Sequence, residues 1–131
     1  MSSDPLDTVR AYFAAIERAD PAAMDFYAED VEQIEHPNAI KPQGDRRGVN
    51  QMRADFEKGR ALLARQQYDI RAAIVSGDEV AVQVLWTGEL AIPLGALQPG
   101  DVMRVHSAIF FRIHNGKIVS QENYDCVEPS A

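Results

Sequence analysis

The stretch "AIFFRIHNGKIVSQENYD", residues 108–125, holds the strongest local signal in the chain. His114-Asn115-Gly116-Lys117 reads as a tight hairpin turn, because Asn-Gly tolerates positive φ. Before it, apolar residues alternate on one parity from Val102 to Ile113. After it, Ile118 to Val127 is the returning strand. One face of this pair is apolar and must be covered.

Upstream, Pro93 to Gly100 is a loop, and Val80 to Leu90 is a Val-rich strand with Trp86 inside it. Tyr68, Ile70, Ala72 and Ile74 alternate up to the turn Ser76-Gly77-Asp78. Before them the period changes to helical, through Val49, Met52, Phe56 and Leu63, with Gly59 as a weak point and an end near Arg65. "NAIKPQGDRRG" (38–48) is a loop by its Pro, Gly and Asp content. A strand is predicted over Val31 to His36, stopped by Pro37, and a short helix over Pro21 to Ala28 with Met24 and Tyr27 inward. Asp4-Pro5 starts the first helix, whose stripe is Leu6, Val9, Phe13 and Ile16. The order is three helices with one early strand, then antiparallel strands. The predicted class is α+β, in a single domain over residues 1–131.

Composition supports that reading. The 131 residues are 46% hydrophobic and 25% charged, enough for a core without metal or disulfide. A net charge of −7 argues against nucleic acid, which needs clustered Lys and Arg; Arg46 and Arg47 read as solvated surface. The lone Cys126 rules out an internal disulfide, fits a reducing cytoplasm and is expected to pack. No stretch has the ~20 apolar residues of a membrane span, and "MSSDPLD" lacks the layout of a signal peptide. A cytoplasmic protein with no membrane partner is expected.

Several stretches together resemble the nuclear transport factor 2-like superfamily, which includes ketosteroid isomerases, limonene epoxide hydrolase and SnoaL-like polyketide cyclases. "VRAYFAAIERAD" resembles its first helix, "FYAEDV" the second helix and its exit, and "VLWTGEL" its third strand. Residues 108–125 resemble its closing hairpin. The resemblance implies a cone-shaped, curved, mixed but mostly antiparallel sheet wrapped around three N-terminal helices. It also implies a ligand pocket and, usually, a homodimer packed through the outer sheet face. It does not imply one reaction.

By the same resemblance, Met103, Val105, Ser107 and Ile109 line the cone, while His106 and Phe110 face out. Gln121, Asn123 and Asp125 point inward from the last strand, and Phe56 and Trp86 form apolar walls. The epoxide hydrolases' aspartate corresponds to Asn123, which cannot take a proton, so a hydrolase mechanism is disfavoured. The isomerases' oxyanion-holding tyrosine corresponds to Tyr12 by its spacing to Asp20, but their protonated aspartate falls near Ile109. Their base is a carboxylate just before a proline, and "IEHP" offers Glu35 or His36.

Counted from Asp30, Glu35 takes the polar position of that strand; counted back from Pro37, His36 does. Neighbours on a strand face opposite sides, so only one can enter the pocket. If Glu35 enters, Trp86, Phe56 and Val105 are expected to wall it, with Tyr12 across the cavity. No spaced ligand cluster predicts a metal, and no cofactor is expected. The expected partner is a small apolar or amphipathic molecule. The candidate activity is isomerisation or cyclisation by acid–base chemistry: Tyr12 donates, Glu35 or His36 moves the proton, and Asn123 and Asp125 orient the ligand. The alternative is a non-catalytic binding or dimerisation module of the same fold.

Overall fold

The structure is a computed structural model, and it describes residues 4–129. Helix α1 spans Pro5–Glu17, and a short 3-10 helix follows at Pro21–Phe26. Strands β1 (Tyr27–Glu35) and β2 (Asp45–Arg47) precede helix α2 (Val49–Leu62). Then come β3 (Leu63–Ser76), β4 (Glu79–Leu90), β5 (Val102–His114) and β6 (Lys117–Val127). The strands form one sheet in the order β2-β1-β6-β5-β4-β3. Among the described residues, only β1 and β6 run parallel and the other pairings are antiparallel.

Local chemistry starts α1, the short helix and the hairpin where the sequence signals them. The Asp4 carboxylate accepts the Leu6 N–H at 2.9 Å, and Asp20 accepts the Ala22 N–H at 2.9 Å. Asn115 and Gly116 both take positive φ, at 52° and 72°, and turn β5 into β6. Val9 and Ile16 of α1 are buried with Val80, Val82 and Val84 of β4 and with Ile118 of β6. Each such aliphatic side chain contributes about 1.5–3 kcal/mol on burial. Among the described residues, no helix is long and apolar enough to cross a membrane.

The pairing register shifts within β1, β3 and the β5–β6 pair, and such irregularities bend a sheet. The curved sheet wraps its inner face around the helices and leaves room at one end.

Several boundaries differ from expectation. Strand β1 begins at Tyr27 rather than Val31 and ends at Glu35, so the short helix stops at Phe26. Helix α2 ends at Leu62 because β3 starts there, pairing Leu63 with Leu90 and Arg65 with Glu89. The 38–48 loop contains β2, too short and polar for any period to show. A register shift between Ile70 and Ala72 reverses the parity of β3, so Ile74 lies outside with 71% exposure. Cys126 is exposed instead of packed, since it sits opposite the outward-facing His106.

Candidate functional site

The inner face of the sheet, α1 and α2 enclose a cavity of about 340 Å³. Of the candidates from sequence, Tyr12, Glu35, Phe56 and Trp86 line it, as do Val105, Ser107 and Ile109 of β5. Gln121, Asn123 and Asp125 line it from alternate positions of β6. Met103 does not: it is paired with Gly88, nearer the start of β5 than the cavity-lining Val105. Gly88 itself leaves space for the Trp86 indole, because a Cβ there would stand 2.4 Å from Trp86 Cη2. The indole N–H donates to Gln66 Oε1 at 2.9 Å, which fixes this wall.

The "IEHP" ambiguity resolves by parity. Glu35 turns inward and His36 turns to the opposite face, where its ring stacks on Tyr124 at 4.3 Å. His36 Nε2 lies 2.5 Å from Glu122 Oε2, also outside. His36 is therefore corrected as a cavity candidate. His106 is likewise outside, 2.6 Å from Glu128.

Glu35 does not meet the apolar surroundings expected for it. The Arg47 guanidinium donates to its Oε1 at 2.7 Å, and Lys41 Nζ lies 3.3 Å from its Oε2. Arg47 also donates to Asp55 Oδ2 at 2.6 Å and to Gln33. Its side chain is 12% exposed, so it is not the solvated residue that composition suggested. Pairing β2 with β1 sets Arg47 beside Gln33 and two positions from Asp45, which faces Glu35 across the ladder. Arg47 Nε is buried with no hydrogen-bond partner. Burial raises the Asp55 carboxyl, but hydrogen bonds from Arg47 and Gln51 outweigh it and hold the group below its ordinary value.

Asp125 occupies a different setting. Ser107 Oγ donates to its Oδ1 at 2.6 Å, across the β5–β6 ladder where the two residues pair. No cation makes an ion pair with it among the described residues. Burial raises its pKa; the Ser107 bond opposes this in part, and the charge of Glu35 adds to the rise while that of Lys41 works against it.

Three phenols line the cavity. Tyr12 and Tyr27 place their hydroxyls 2.5 Å apart, and Tyr27 donates to Gln121 Oε1 at 2.6 Å. Gln121 in turn donates to Asn123 Oδ1 at 3.1 Å. Burial raises the pKa of both tyrosines, as it does that of Tyr68, so all three stay protonated at neutral pH. Tyr68 stacks face to face on Phe13, with centroids 4.2 Å apart and planes 7° apart. Sequence reading missed Arg47, Asp55 and Tyr68 as members of the cavity wall. Periodicity reports which face a residue takes, not what its polar atoms meet there.

Against known proteins, residues 9–121 match the family described as the SnoaL-like domain. No curated protein matches the chain. Among solved structures, the chain is similar to IdmH, a proposed polyketide cyclase from Streptomyces antibioticus. That match has a TM-score of 0.78 at 19% identity and covers 94% of this chain and 92% of that one. A proposed polyketide cyclase from Xanthomonas campestris pv. campestris aligns with a TM-score of 0.75 at 24% identity, over 92% of this chain and 88% of its own. A protein of ketosteroid isomerase-like fold from Catenulispora acidiphila, solved with trimethylamine, aligns with a TM-score of 0.67 at 24% identity, over 89% and 83%. At these identities the likeness is one of fold.

Proposed function

We propose a function from one premise: the chain belongs to the SnoaL-like domain family, within the nuclear transport factor 2-like superfamily. The cavity takes a small, largely apolar molecule bearing a carbonyl group. Asp125 removes a proton from the carbon beside that carbonyl, and the electron pair passes to the carbonyl oxygen as an enolate. Return of the proton at another carbon completes an isomerisation. Attack of the enolate carbon on a second carbonyl of the same molecule, with the proton passing to the new alkoxide, completes a cyclisation. Neither route needs a co-reactant.

The carrying observation is the setting of Asp125: a cavity-lining carboxyl with raised pKa, one neutral hydrogen bond and no paired cation. A base is most effective when its pKa lies near the working pH, and burial moves a carboxylate that way. Glu35 is less suited, because Arg47 and Lys41 already hold its two oxygens. This reading transfers the proton-moving role from Glu35 to Asp125, which the sequence assigned to orienting the ligand.

Deuterium incorporation from solvent into β-tetralone tests it, followed by mass spectrometry. Asp125→Asn should slow protein-dependent exchange by ~10²–10⁴-fold, the usual worth of general acid–base catalysis. Ketone binding by the wild type with no exchange would leave the cavity a binding module instead.

The same reading makes the protein a cytoplasmic homodimer. The outer sheet face exposes Phe110 and Tyr124, in edge contact at 5.9 Å, between Arg112 and His106. A second copy would cover this apolar patch. Sedimentation at micromolar concentration should give a dimer, and a monomer alone would remove this part of the reading.

A further inference from the structure

We propose that Tyr68 is the hydrogen-bond donor that the cavity offers to the ligand's carbonyl oxygen, and that Tyr12 has no proton to spare for that role. The inference rests on the carbonyl ligand proposed above and deepens it.

Proton counting excludes Tyr12. A phenol carries one hydroxyl proton, and an amide oxygen only accepts. Tyr27 spends its proton on Gln121 Oε1 at 2.6 Å. In the 2.5 Å contact with Tyr12, Tyr27 must therefore accept and Tyr12 must donate. Both protons run into the protein, through Tyr27 to Gln121. A ligand could recruit Tyr12 only by breaking a buried bond.

Tyr68 is free of that arrangement. Its hydroxyl has no hydrogen-bond partner among the described residues, although its ring lines the cavity and packs against the core. Tyr68 is half-buried and its hydroxyl is not sealed from water, so a ligand oxygen entering the cavity can displace water there and accept its proton. The side chain is also well fixed. Its ring stacks on Phe13, its backbone N–H donates to Glu17 at 2.7 Å, and it pairs across the ladder with Trp86. Burial, and then the nearby groups Tyr12 and Asp125, keep its proton in place, so it donates and does not act as a base.

The surroundings also select the ligand's charge. Glu35, Asp55 and Asp125 line the cavity against Arg47 and Arg60, and Arg47 is already bound to Glu35 and Asp55. With Lys41 on Glu35, these three carboxylates face three cations, so the wall offers no net charge to attract an ionic ligand. A neutral, flat cyclic ketone can lie along Phe13, Tyr68 and Trp86 with its oxygen at the Tyr68 hydroxyl and its acidic carbon toward Asp125.

The test compares β-tetralone with tetralin, which has nearly the same shape and no oxygen. Affinities are measured for wild type, Tyr68→Phe and Tyr12→Phe, together with the infrared C=O stretch of bound β-tetralone. Tyr68→Phe should weaken β-tetralone binding by about tenfold, as loss of one hydrogen bond does. It should leave tetralin within about twofold and return the C=O stretch toward its value in apolar solvent. Tyr12→Phe should leave both the stretch and the ketone's advantage over tetralin unchanged. Three results would each overturn the proposal: no preference of the wild type for the ketone, an equal loss of both ligands in Tyr68→Phe, or a C=O shift that depends on Tyr12. A ketone bound through Tyr68 but not deuterated would defeat the proton-transfer reading alone and leave the Tyr68 assignment standing.

Discussion

Glu35 and Asp125 are carboxylates on inward strand positions of the same cavity, yet their neighbours differ in kind. Glu35 faces two cations, and its Arg47 partner continues to Asp55 and Gln33. Asp125 accepts one serine hydroxyl and makes no ion pair among the described residues. A paired carboxylate has its charge answered inside the fold and ties three elements together: β1, β2 and α2. A carboxylate without a cation is left with a charge the fold does not favour, and that reserve is what a proton-transfer group requires. The charged wall is architecture, and the neutral wall is where chemistry can occur.

Removing the cation that organises the charged wall should produce the largest change in stability. Arg47→Met leaves Glu35 and Asp55 without their shared guanidinium at partly buried sites, so urea unfolding should show a loss of about 3 kcal/mol. Glu35→Gln keeps the volume and leaves the Arg47–Asp55 pair intact, and should cost about half as much, about 1.5 kcal/mol. If both variants unfold like the wild type, the charged wall is not structural and the contrast fails.

How far the sequence reveals this contrast depends on which link of the chain is asked for. The hairpin and the helix starts follow from turn and cap chemistry, because Asn115-Gly116, Asp4-Pro5 and Asp20-Pro21 act on the backbone beside them. Inward parity on β5 and β6 comes from the resemblance to the family's closing hairpin, and Ser107, Gln121, Asn123 and Asp125 do line one cavity. Arg47 is not legible: its burial comes from a three-residue strand that pairs with β1 only once the chain has folded back. Neither is the idleness of the Tyr68 hydroxyl, since alternation on β3 places the ring and says nothing of what its oxygen meets. The proton-moving role first offered to Glu35 or His36 is proposed for Asp125 for the same reason.

A smaller effect sharpens the comparison from the neutral side. Asp125 has its pKa raised on folding, so the stability linked to it is fully present below the unfolded value near ~4 and is lost as pH rises through the folded value. Asp125→Asn removes that loss. Unfolding midpoints measured from acid to neutral pH should therefore show the variant gaining steadily on the wild type. A variant that loses ground on the wild type as pH rises would mean that Asp125 is stabilised as an anion, as a paired group is.

The smallest effect is expected on the far side of the sheet. His36 stacks on Tyr124 outside the cavity, so His36→Gln should leave the exchange rate of β-tetralone within about twofold of wild type, as for surface substitutions away from a site. A large drop would show that the outer face communicates with the cavity and that parity does not separate the two.

The central claim is that Asp125 carries the displaced proton affinity because burial outweighs the Ser107 bond and the weaker pull of Lys41. Carboxyl-carbon NMR titration of selectively labelled aspartate reads this directly, in the wild type and in Glu35→Gln. The Asp125 midpoint should lie clearly above the ordinary ~4, and Glu35→Gln should lower it, because the Glu35 charge contributes to the upward displacement. An Asp125 midpoint at or below ~4 in the wild type would contradict the account.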